Sequence, residues 1–174
     1  MNKRTHTILI ISLTIIPFIL MLIFWEAIPD QIPVHWNIRM EPDNFGDKVT
    51  HVPVIAGLGI AIQALFWALP AIDPKKRTAE YMGTIGNLQI IYGLFHVVLF
   101  VALLTVWMGK IENPIDLILL AVLFLFGALG NYFGKIKPYY FIGIRTPWTL
   151  ESEDVWRATH RLGGKLWVGS AVVL

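Results

Sequence analysis

The strongest constraint on this chain is a series of long apolar segments: Thr7–Trp25, about Val52–Ile72, about Leu88–Met108 and Ile115–Phe133. Each approaches the roughly 20 mostly apolar residues that a helix needs to cross a bilayer. Lipid offers a bare backbone no hydrogen-bond partner, so such segments span as helices. They are too long, and too little alternating, for barrel strands. A fifth run, "LWVGSAVVL", covers only Leu166 to Leu174. As a helix it rises about 13–14 Å, under half the hydrocarbon core. It reads as a re-entrant piece or, the preferred reading, as the start of a span in a longer protein.

The expected fold is all-α. It is a multi-pass transmembrane helix bundle with four full spans and a partial fifth, a short cytoplasmic amphipathic helix and an extracellular turn-rich loop. Residues 1–72 form a two-span unit with the loop, and residues 73–174 a C-terminal membrane domain. Composition agrees: 56% of residues are hydrophobic and 15% charged, against roughly 25% charged in a soluble domain. Membrane lipids are therefore expected partners. A net charge of +2 leaves no electrostatic footprint for direct nucleic-acid binding. With no cysteine, disulfides and thiolate metal sites are excluded. The first apolar run exceeds the roughly 7–15 residues of a signal-peptide core and precedes no A-x-A-like site, so it is read as a retained span.

Lysine and arginine set the orientation. If the N-terminus is cytoplasmic, only Arg39, Lys48 and Lys110 of the fourteen fall outside. The chain is thus expected in the cell membrane, multi-pass, with Glu26–His51 outside and Gly134–Lys165 inside. Within the spans the main polar residues are Gln63, His96 and Asn131. An intramembrane histidine is a functional candidate, but an interhelical hydrogen bond, to Gln63 for instance, is the favoured reading of His96. Pro17 is expected to kink the first helix. Gly130 and Gly134 suit either close helix packing or the exit into a loop.

The loop "IPDQIPVHWNIRMEPDNFGDK" is rich in turn formers. It should be turn-dominated with short extended pieces. His35, Asp43, Asp47 and His51 could in principle collect a metal, but turn hydrogen bonds account for the acids and no metal site is assigned. Trp36 reads as an interfacial anchor. Counted from Glu26, five acids (Glu26, Asp30, Glu41, Asp43 and Asp47) against two bases make the loop a surface that favours a cationic visitor.

Past the fourth span comes "GNYFGKIKPYYFIGIRTPWTLESEDVWRATHRLGG". Lys135 and Lys137 mark the interface, with Tyr139, Tyr140, Phe141 and Trp148 at headgroup level. A helix capped by Thr149 or Ser152 is expected to carry Glu151, Glu153 and Asp154 in its first turn, an i, i+4 Glu153–Arg157 pair, and a stop at Gly163–Gly164. Val155, Thr159 and Leu162 would share one face. The segment is either a lipid-anchoring connector or a packed site centred on Arg145 and Arg161.

These residues resemble the signature of the SdpI family, membrane proteins named for immunity to the sporulation-delaying peptide toxin. The match runs through Gly130, Asn131, Gly134, Lys135, Lys137, Pro138, Tyr140, Phe141, Gly143 to Leu150, Trp156, Thr159, His160, Arg161, Gly163 and Gly164. The Arg145, Thr146, Pro147, Trp148 core is the most distinctive part. Tyr139 departs, since the family usually has Asn there. The loop resembles an uncharacterised domain that commonly precedes this signature, at Pro33, His35, Trp36, Asn37, Pro42, Asp43 and Lys48. Its expected glycine is Met40 here, which a positive φ would strain.

The resemblance implies a plasma-membrane protein of a Gram-positive bacterium or an archaeon, conferring immunity to a secreted membrane-active peptide. It implies two partners, the peptide toxin outside and a small transcriptional repressor held inside. No cofactor and no enzyme activity are implied. No Ser/His/Asp set, H-E-x-x-H or P-loop is present. A small-molecule or ion transporter or channel is the alternative, with His96 its only support. A membrane enzyme is third, with His160, Asp154 and Glu153 its only cluster.

Overall fold

A computed structural model describes residues 2–73, 78–111 and 115–173. The elements are α1 (Lys3–Phe24), β1 (Gln31–Trp36), β2 (Pro42–Asp47), α2 (Lys48–Ile72), α3 (Thr78–Trp107), α4 (Ile115–Phe133), α5 (Pro147–Glu151) and α6 (Glu153–Val173). Lys75, Lys76 and Arg77, which contribute to the charge bias, lie outside the described residues. Among the described residues four helices are long and apolar enough to span a membrane: Arg4–Ala27, Lys48–Ile72, Tyr81–Trp107 and Ile115–Phe133. The chain is an all-α multi-pass membrane protein apart from one small hairpin. α3 starts ten residues before its apolar run, and Thr84 in that extension is buried within the fold. Pro17 is buried inside an unbroken α1.

Contacts divide the chain into two compact units, Met1–Gln63 with Gly93–Ala121, and Ala64–Tyr92 with Val122–Leu174. α2, α3 and α4 each contribute residues to both.

In the first unit, Ile28, Ile32, Val52, Ala56, Phe100, Leu104 and Trp107 form the core. Without a hydrophobic driving force between helices in lipid, small residues that admit a neighbour's side chain become important. Gly59 is one: a Cβ there would lie 2.6 Å from His96 ring atoms. The interhelical hydrogen bond expected of His96 runs from Nε2 to the Ile55 carbonyl of α2, at 3.0 Å. The turn-rich loop is more ordered than expected. β1 and β2 pair antiparallel, from Gln31 opposite Asp47 to Trp36 opposite Pro42, with an irregularity around His35.

In the second unit, Leu69, Tyr81, Ile85, Phe133, Ile136, Tyr139 and Trp156 form the core. Here the structure corrects the expected end of the amphipathic helix. α6 runs through Gly163 and Gly164 to Val173, so the connector and the "fifth segment" are one helix. These glycines serve close approach instead of termination. A Cβ on Gly164 would lie 2.6 Å from the Gly130 carbonyl oxygen, and one on Gly130 would lie 2.9 Å from Gly164 O. Gly130 thus takes the packing role of the two open to it. The buried stripe of α6 is Trp156, His160 and Gly164, while Val155 and Leu162 are exposed. The face expected from apolar residues alone is therefore turned outward.

Candidate functional site

The signature segment folds on a sequence of local devices. The residue before Pro147 is extended, as proline requires of its neighbour, and Thr146 caps α5 with φ −127° and ψ 161°. Thr146 Oγ1 accepts from Thr149 N–H at 3.2 Å, while Thr149 Oγ1 accepts from Thr146 N–H at 2.8 Å. This reciprocal box satisfies donors that a helix start leaves orphaned. Thr149 is therefore interior to α5 and fully buried, not the cap of the longer helix. Its hydroxyl also donates to the Ile144 carbonyl at 3.0 Å. Ser152, the other expected cap, does precede α6, and its Oγ accepts from Val155 N–H at 3.4 Å.

α6 then delivers two rings to the centre. Trp156 is 0% exposed and donates its indole N–H to the Ile136 carbonyl at 2.8 Å. One turn on, His160 stacks on it, with ring centroids 4.0 Å apart and planes 21° from parallel. His160 Nδ1 donates to the Trp156 carbonyl at 2.9 Å, and Nε2 accepts from Ile144 N–H at 2.9 Å. Those partners select the neutral Nδ1–H tautomer. Burial holds the imidazole below its ordinary pKa, partly opposed by the hydrogen bond to Trp156. Gly143 has φ +112°, and a Cβ there would meet Trp156 and His160. Only glycine suits both the backbone and the space.

Tyr139, the residue that departs from the family pattern, fills the core. It is 0% exposed and meets Tyr81 edge-on at 4.4 Å. Beside it lies Asp73, buried at 1% exposure, whose carboxylate accepts from Tyr140 N–H at 3.2 Å. Sequence reading missed Asp73. It follows the last apolar residue of a span and is easily taken for an ordinary loop acid. The available signal was an acid immediately beside a span, a position with few reasons for charge.

The remaining signature residues stay on the surface. Arg145 is exposed and donates from Nη1 to the Tyr140 carbonyl at 3.0 Å. Asn131, Lys135, Pro147, Trp148 and Arg161 are exposed and Thr159 is half-buried. A packed site centred on Arg145 and Arg161 is not what forms; the packed centre is Trp156, His160, Thr149 and Gly143. Asn131 and Arg161 do come together, in an open cavity of about 470 Å³ that Lys165 also lines. Lys135 and Lys137 line a second of about 370 Å³ with Glu153 and Arg157. Arg157 pairs with Glu153 at 3.6 Å, as expected, and with Asp154 at 3.4 Å. His160 does not join Asp154 or Glu153, since both its nitrogens are engaged inside the fold.

The hairpin residues gather separately. Asn37 shapes the tip: its Oδ1 accepts from the N–H of Arg39 at 2.8 Å and of Glu41 at 3.1 Å. Met40 takes φ 62°, the one positive φ outside glycine among the described residues. The glycine-type turn is thus kept with methionine in it. His35 Nδ1 lies 2.6 Å from an Asp43 carboxylate oxygen, both side chains being well exposed. Trp36 is half-buried. Pro42 pairs opposite it at the start of β2. Lys48 closes the base, donating to the Ile28 carbonyl at 2.8 Å and meeting Asp30 at 3.2 Å, with its ammonium 5.4 Å from the Trp25 ring. Among the described residues no three His or acidic side chains converge as metal ligands.

Four long apolar helices and a buried aromatic signature at the end of the fourth define a multi-pass membrane protein. Residues 135–174 match the model of the SdpI/YfhL protein family, and residues 12–60 match that of a domain of unknown function (DUF1648). The chain is 26% identical over 171 residues to the Immunity protein SdpI of Bacillus subtilis (strain 168), covering 97% of this chain and 77% of that protein. The SdpI-family resemblance read from the signature is thereby shown. No solved structure matches.

Proposed function

We propose that the chain is an integral membrane immunity protein that protects its cell against a secreted, membrane-active peptide toxin. The observation that carries this reading is the similarity to an immunity protein along 97% of the chain, which takes in the hairpin and the signature alike. In this reading the N-terminus is cytoplasmic, as the lysine and arginine distribution favours. The acidic hairpin bearing His35 and Asp43 meets a cationic peptide outside. The exposed Arg145, Trp148 and Arg161 face a cytoplasmic repressor, and the buried Trp156–His160 stack holds them in place.

Survival is the test. The full chain is expressed in toxin-sensitive cells and the peptide is titrated. A raised lethal concentration is expected. Unchanged killing, with membrane insertion confirmed, overturns the reading. Arg145→Ala is expected to lower protection at equal membrane levels, and full protection by that variant would reduce the inner surface to an anchor.

A further inference from the structure

Arg161 and Lys165 stand one turn apart on α6, and both line the 470 Å³ cavity beside the end of α4. Like charges at this spacing oppose a helix slightly. Among the described residues neither meets a carboxylate. The acids of α6 lie in its first turn, where Arg157 engages them. Among the described residues no acid lines the cavity, and Asn131 adds an amide. Its floor is low because Gly134 and Gly164 carry no side chain, and the stem of Arg161 passes 3.9 Å from where a Gly134 Cβ would stand. The cavity also sits where a span ends, since α4 finishes at Phe133. Polar lining from Asn131, Arg161 and Lys165 therefore meets apolar lining from Val168.

We propose that this cavity binds the phosphate headgroup of an anionic phospholipid. Arg161 and Lys165 carry the phosphate charge, Asn131 donates to its oxygens, and an acyl chain follows Val168 and Gly169. A guanidinium fork matches phosphate geometry and an ammonium adds a point charge. Basic pockets beside spans recruit anionic headgroups through the same chemistry. The inference rests on the membrane class of the protein and not on toxin immunity.

The purified full chain is placed in nanodiscs of phosphatidylcholine, with or without phosphatidylglycerol, and retained lipid is counted by native mass spectrometry. Wild type is expected to prefer phosphatidylglycerol. Removing each cation should weaken that preference roughly fivefold, so the double variant R161Q/K165Q should lose about twenty-five-fold. Gly169→Leu adds bulk where no atom lies within 4 Å and changes no charge, and it should weaken binding comparably. R157Q should leave the preference intact. An undiminished preference in the double variant overturns the proposal. So does undiminished binding in Gly169→Leu, which also decides the matter if the double variant does not fold. Inorganic phosphate that abolishes the difference between the two nanodiscs, by stabilising the protein equally in phosphatidylcholine alone, assigns the site to free phosphate and overturns the lipid.

Discussion

The hairpin and the signature segment are both recognisable as short motifs, yet their motif residues do opposite work. In the signature, Thr149, Trp156 and His160 are buried and build the core around Gly143. In the hairpin, His35 and Asp43 are exposed and meet mainly each other, while Asn37 shapes the backbone. A residue type repeated in a family pattern can therefore be there for packing, for a turn or for a surface. Only placement tells which. The same distinction separates the consequences of substitution.

The largest effect is expected at Trp156. Removing a fully buried indole leaves a cavity and an orphaned Ile136 carbonyl, so Trp156→Ala should cost about 3–5 kcal/mol. Thermal unfolding in detergent, followed by tryptophan fluorescence, measures it; a loss under about 1 kcal/mol would mean that the signature is not a core. His160 supplies a pH dependence of smaller size. Above about pH 6.5, the ordinary imidazole value, the ring is neutral folded and unfolded, and its contribution is fully present. As pH falls through that value, the unfolded chain takes a proton that the buried ring resists, so stability declines until the lowered folded pKa is reached. Melting temperatures at pH 7.5 and 5.5 should differ more in wild type than in His160→Asn.

Much of the bilayer architecture was legible because length and apolarity alone demand it. The buried face of α6 was not. The apolar residues placed Val155, Thr159 and Leu162 on one face and left open what the helix buries, and it is a glycine-to-glycine approach and a Trp–His stack that set the buried stripe. Lipid or solvent can accept the aliphatics, whereas the indole N–H and the imidazole require partners. The continuity of α6 was hidden for a related reason, since Gly163–Gly164 has the composition of a helix stop and only the facing Gly130 shows its other use. Asp73 was missed because its partner, the Tyr140 amide, is 67 residues away in sequence.

Lys48, which starts α2 at the base of the hairpin, behaves more like the signature residues than His35 or Asp43 does, with its side chain only 13% exposed. Lys48→Met keeps the stem and removes the donor to the Ile28 carbonyl. It should cost about 1–3 kcal/mol, and protease nicking between Gln31 and Asp47 should rise at equal membrane levels. Unaltered cleavage would show that strand pairing alone holds the hairpin. Met40 should move the other way. An L residue in the left-handed region costs about 1–2 kcal/mol, so Met40→Gly, which also frees the unfolded chain, should stabilise the hairpin by up to about 1 kcal/mol. Destabilisation would mean that the methionine side chain contributes contacts outweighing its strained backbone.

The smallest expected effect on stability is also the sharpest test of the contrast. His35 and Asp43 are exposed, and surface pairs of this kind contribute about 0–1 kcal/mol. His35→Ala and Asp43→Asn should each leave the melting temperature within about 2 °C of wild type, and the double variant should differ little from either. If the hairpin presents a recognition surface, protection against the peptide should nevertheless fall in both. Stability lost along with protection would place the pair with Trp156, among residues that act by holding the fold. Stability and protection both retained would leave the pair without a part in recognition. The acidic surface formed by Glu26, Asp30, Glu41 and Asp47 would then be the next to neutralise.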